Sequence, residues 1–231
     1  MMKVKQLALV GAVACLMGTS PAAAGPLGGF GKALGVKLPG TGATGSEAPA
    51  SGDDADQFLA NATRSTKNVM IAAAILAQAI TNAKDLTSQK SYIDAITNAQ
   101  DSKELDAHRA EFQSNLDTIN SNKDIAASIQ AGMKVATAQQ REMIGIAVIN
   151  MGIGIARNVD LAASAPRVVG AVSHNVQLLT RVGQFKVAAA LIGMQAKGLA
   201  GVATSMPKLI SATKVSMPAN PKQTEPKFIP L

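Results

Sequence analysis

From Met143 to Ala156 the chain is apolar at every position except Asn150. A helix that is greasy on all sides must be buried among partner helices or in lipid. The residues just upstream carry apolar side chains on one face only, at Ile125, Ile129, Met133 and Ala136. The stretch Asp124 to Arg157 therefore reads as one central helix, amphipathic at first and then apolar all round, plausible to about Val159. Asn150 inside it needs a hydrogen-bond partner if buried, and in a helix seam such a residue fixes register.

The rest of the sequence supplies partners of the same kind. Hydrophobic residues make up 47% of the chain but aromatics only 3%, with no Trp and a single Tyr, Tyr92. Ala, Ile, Val and Met must fill the core, and Ala is also the strongest helix former. After Ser51-Gly52-Asp53-Asp54, the residues Phe58, Ala62, Ser65, Val69, Ala72, Leu76, Ala79 and Ala83 step by four and three along one seam. Large and small residues alternate there, which suits close helix packing to about Asp85.

A polar region follows from Thr87 to Ser121. Ser91 is placed to cap a helix to about Ala99, and Ser102 a second one to about Ile119, with Leu105, Phe112, Leu116 and Ile119 as its seam. Glu104, His108 and Glu111 fall at i, i+4 and i+7 on that second helix, a spacing that in principle reaches one metal ion. No second His-bearing helix matches them, so an exposed polar face is the expected reading. Ala162 to Pro166 reads as the break after the central helix, with Pro166 at a first helical position. The next helix is expected to reach about Ser205 with Val168, Val172, Val176, Leu179, Val182, Lys186, Ala189 and Gly193 along one line. His174 sits in basic surroundings that disfavour a cation. Pro207 stops or bends this helix, and Pro218, Pro221, Pro226 and Pro230 mark an extended tail.

The fold class that follows is all-α: an elongated bundle of four or five helices, dominated by three long Ala/Gly-rich ones centred near Ile71, Ala147 and Ala188. Residues 1–24 read as a signal peptide, 25–52 as a flexible Gly/Pro/Ala/Ser-rich linker, 53–217 as the bundle and 218–231 as the Pro-rich tail. In the leader, Lys3 and Lys5 precede an apolar run from Leu7 to Met17, and Ala22 and Ala24 suit cleavage before Gly25. A rival reading uses Ala12-Val13-Ala14-Cys15 as a lipoprotein signal, with Cys15 lipidated and the protein anchored to the outer membrane. The aliphatic residue expected three positions before that cysteine is missing. With Cys15 removed there are no disulfides, and a packed core must carry stability.

Two glycine-rich strings carry no nucleotide chemistry. Gly28-Gly29-Phe30-Gly31-Lys32-Ala33 has the wrong spacing for a phosphate loop, and Gly152-Ile153-Gly154-Ile155 lacks both a third glycine and a preceding strand. No nucleophile, base and orienting group stand together, so a non-enzymatic protein without cofactor or small-molecule substrate is expected. The net charge of +7 is divided unevenly: Glu47 to Asp124 holds 12 acidic and 7 basic residues, whereas after Asp160 a single acid, Glu225, faces 8 basic residues. Opposite halves favour antiparallel packing of early on late helices; the basic half alternatively faces anionic lipid. Nucleic acid is disfavoured, because only Phe185 and Phe228 are available for stacking in the basic region.

Three function classes follow. The first is an exported, periplasmic or cell-surface bundle acting as an interaction or scaffold component of the envelope, with a protein partner or self-association. The second is a membrane-active protein that inserts its apolar helices into lipid, and the third is a small-ligand or metal carrier. Met143, Ile146, Ile149, Ile153 and Phe228 are the expected partner or lipid contacts.

Overall fold

The computed structural model describes residues 52–227 and Ile229 of the chain; the expected leader, Cys15, nearly all of the linker and Phe228 lie outside them. The described residues are all-α, with no strand among them. Helix α1 spans Gly52–Asn82 and runs into a 3-10 turn, Ala83–Gln89; α2 is Lys90–Asn98, α3 Ser102–Asp106, α4 Arg109–Asn120 and α5 Ile125–Val135. The longest helix, α6, is Ala138–His174; a second 3-10 turn, Val176–Arg181, leads to α7, Val182–Gly198, and α8, Ala200–Thr213.

α1 forms as its seam requires. Phe58, Ala62, Ser65, Val69, Ala72, Leu76, Ala79 and Ala83 are all buried, and Asp53 and Asp54 occupy the first turn, where the helix dipole favours acids. Burying each large aliphatic residue is worth about 1.5–3 kcal/mol. α1 packs most extensively on α6. They meet closely at Gly154, where any Cβ would collide with the Val69 side chain. The missing side chain lets the two backbones close up, and Ser65 Oγ points at the Gly154 carbonyl 3.5 Å away.

Two apolar clusters share α1 and α6. The larger gathers the middle of α1, α2 to α5, the first half of α6 and α8; the smaller joins Phe58, Leu161, Val168, Val172 and Phe185 at the other end. Phe58 and Phe185 stack with centroids 6.3 Å apart. Near the boundary lie buried polar groups. Gln195 Nε2 donates to Thr66 Oγ1 at 2.7 Å, and Asn158 Nδ2 faces the Ile192 carbonyl at 3.5 Å. Such pairs tie α1, α6 and α7 to one register.

Several boundaries differ from expectation, each with a local cause. The central helix is not continuous from Asp124. It ends at Val135, and α6 starts afresh behind Thr137, whose hydroxyl accepts from the Gln140 N–H while the Gln140 side chain accepts from the Thr137 N–H. This reciprocal capping box makes a new helix start cheaper than passing through. α6 does not break at Ala162 to Pro166 either. Pro166 lies inside the helix on its exposed side, so the chain gives up one backbone hydrogen bond while Leu161, Ala165, Val168 and Val172 stay buried around it.

The break falls at Asn175, whose side chain caps the following 3-10 turn. That turn shifts the register, so the expected line through Val176 and Leu179 is wrong: both are exposed, and the buried seam of α7 is Phe185, Ala188, Leu191, Ile192 and Gln195. The third long stretch bends by 59° between Gly198 and Ala200. Asp101 rather than Ser102 caps α3, accepting from the Lys103 and Glu104 N–H groups.

The close contact at Gly154 has a measurable consequence. Gly154→Ala destabilises the fold by about 1–3 kcal/mol in urea denaturation through overpacking. Gly170→Ala, in the same helix with nothing within 4 Å of the new Cβ, stabilises it by up to ~1 kcal/mol. Equal effects at the two sites would contradict the packing described.

Candidate functional site: the tail-covered face of the apolar helix

After α8 the chain neither frays nor extends away. Lys214 takes a left-handed conformation, φ 55°, and redirects the backbone onto α6. Met217 lies over Gly152, with its Sδ 2.9 Å from where a Cβ would stand; here a bare helix surface is what seats the tail. The tail then turns at Asn220, whose carbonyl accepts from the Gln223 and Thr224 N–H groups. It returns along α6 in the opposite direction.

The turn and the returning limb are held by main-chain recognition. Arg157 Nε donates to the Lys222 carbonyl at 3.0 Å and its Nη2 to the Thr224 carbonyl at 2.9 Å. Asn150, 3% exposed, receives the Lys227 N–H on Oδ1 at 2.9 Å and donates through Nδ2 to the Lys227 carbonyl at 2.7 Å. Both ends of the carboxamide are thereby satisfied by one residue of the tail. Ile229 completes the limb by packing into the larger apolar cluster.

Ion pairs flank these bonds. Lys222 Nζ lies 2.6 Å from Asp160, Glu225 lies 2.9 Å from Arg64 on α1, and Arg157 reaches the same carboxylate at 3.9 Å. Exposed pairs of this kind contribute about 0–1 kcal/mol each, so the bonds of Asn150 and Arg157 dominate the docking. The ion pairs fix direction and register.

The expected contact residues on α6 do not form an open face. Met143, Ile149 and Ile153 are buried and Ile146 is partly buried, so none of the four offers an open apolar face. α1, α7 and α8 all pack on α6, and the tail meets it at Gly145 and Gly152. Exposed large hydrophobics among the described residues are Val135, Val176 and Leu179, all outside the Met143–Ile153 stretch.

Glu104, His108 and Glu111 do not come together as a ligand set. The helix expected to align them breaks between α3 and α4, and among the described residues no group of three or more His, Cys, Asp or Glu side chains is placed to hold a metal. Glu104 accepts from the Gln100 N–H at 2.6 Å, capping the preceding turn. His108 packs edge-on against Tyr92, centroids 5.7 Å apart. Glu111 stands near the same ring; burial first, and then this carboxylate, push the Tyr92 phenol above its ordinary pKa.

Nothing in the local periodicity singles out Arg64, Arg157 and Asp160 or their tail partners. Their signal is a pair of complementary spacings, Arg157-x-x-Asp160 and Lys222-x-x-Glu225, which match when the two segments run antiparallel. Comparison with protein-family models, with curated proteins and with solved structures finds no match.

Asn150→Ala removes both bonds to Lys227 and leaves that residue's backbone groups unpaired. The expected cost is about 1–3 kcal/mol in chemical denaturation, with faster tryptic cleavage after Lys222 and Lys227 at native conditions. Unchanged cleavage would show that Asn150 does not hold the tail.

Proposed function

We propose that this chain is an exported, non-enzymatic helical bundle that works as an interaction component of the cell envelope, through the tail and the groove that holds it. The observation that carries this reading is how the groove recognises its occupant. Asn150 binds the N–H and carbonyl of Lys227 and Arg157 the carbonyls of the Asn220 turn, backbone groups in every case, a mode that tolerates many side-chain sequences and is common in peptide recognition. An extended segment of a protein partner, displacing or extending the tail, meets the same donors and acceptors. Export is supported by the Lys3/Lys5, Leu7–Met17 and Ala22-Ala23-Ala24 pattern of the leader.

The test uses the full chain in its native host, with a photo-crosslinking residue at exposed Asn61 or Gln223 beside the groove. A discrete crosslinked adduct with one envelope protein, or with a second copy, is expected. Smeared or absent adducts together with a cytoplasmic location would overturn the reading.

A second reading, a membrane-active protein, is favoured by one specific observation. The stretch Gly52–Asn98 and α6 are each long and apolar enough to cross a membrane by length and composition, both at mean hydropathy 1.3. On this reading tail release precedes insertion of the α1–α6 pair. Asn150→Ala then raises dye leakage from vesicles containing 30% anionic lipid at least severalfold over the parent protein. No leakage from either protein would remove this reading.

A further inference from the structure

A cavity of about 330 Å³ lies where the returning tail limb crosses α1, α2 and Asn150. Its apolar wall is Ile71 from α1, Ile93 from α2 and Ile229 from the tail. Its polar lining is unbalanced. Four cations, Arg64, Lys67, Lys90 and Lys227, meet two acids, and both acids are already engaged: Glu225 by Arg64 and Asp94 by Lys90 at 3.3 Å.

What is left over consists of donors. Lys67 spends one N–H on the Thr97 carbonyl at 3.0 Å, which leaves an ammonium with two more. Lys227 has no ion-pair partner among the described residues. Asn68 also lines the cavity, but its Nδ2 is closed off from it and does not add to these donors. Surplus positive charge beside an isoleucine wall specifies one chemistry.

We propose that this cavity binds a small amphiphilic anion, a carboxylate or phosphate monoester on a short apolar body, with Lys67 and Lys227 holding the head and Ile71, Ile93 and Ile229 the body. One wall belongs to the tail, so the site is complete only when the tail is docked. The ligand therefore binds the closed form and holds it closed, through linkage. This inference rests on the docked tail and not on the envelope-interaction reading.

Calorimetric titration of the full chain with octanoate, hexyl phosphate and octanol, each below its aggregation limit, tests it. One-to-one binding of at least one of the two anions is expected, with octanol at least tenfold weaker, and the preferred anion identifies the head. Lys67→Gln and Lys227→Gln each weaken that binding about tenfold with unchanged circular dichroism. The bound anion also slows tryptic cleavage after Lys222. Octanol binding as tightly as both anions, non-saturating uptake, or full affinity in the Lys67→Gln/Lys227→Gln double variant would overturn the proposal.

Discussion

A carboxamide sealed inside an apolar helix needs both a donor and an acceptor opposite it, and neither can come from the aliphatic side chains around it. Asn150 meets that demand with the two backbone groups of Lys227, 77 residues later in the chain. Leaving it unpaired costs about as much as one well-packed side chain contributes. The path of the C-terminal segment is therefore tied to a single position in α6. Arg157, two turns further along, repeats the arrangement with two more tail carbonyls.

The rest of the packing depends on that arrangement. With α1 against one side and α8 and the tail against others, Met143 to Ala156 is enclosed around almost its whole circumference. Small residues make this possible. Gly154 admits Val69 of α1, and Gly152 admits Met217 of the tail, so one helix receives neighbours at two closely spaced positions. Buried polar pairs such as Gln195 with Thr66 then select one helix alignment in a core of interchangeable aliphatic groups. In this protein the specificity comes from a few amides and the bulk of the stability from Ala, Ile, Val, Leu and Met.

Local periodicity was legible and long-range pairing was not. The seam from Phe58 to Ala83 and the set Leu105, Phe112, Leu116 and Ile119 are all buried, because each repeats at helical spacing. The start of α6 was written in the sequence as Thr137-x-x-Gln140, a capping box that the apolar residues on both sides of it mask. Pro166 misleads in the other direction: proline is an unfavourable helix interior residue, but the burial of Leu161 and Val168 outweighs one lost hydrogen bond. The need of Asn150 for a partner was evident from its neighbours. Which residue answers it depends on a turn at Asn220 and a left-handed Lys214, which no repeat announces.

If the tail is an integral cover of the apolar helix, the Lys227 amide is the place to see it. Hydrogen exchange by NMR, residue by residue on the full chain, measures its protection directly. Strong protection of Lys227, lost together with that of the Asn220 turn amides Gln223 and Thr224, is predicted, because one cooperative unit carries them all. Exchange at the rate of an unstructured peptide would contradict it, and would leave Asn150 without the partner on which this account of the fold depends.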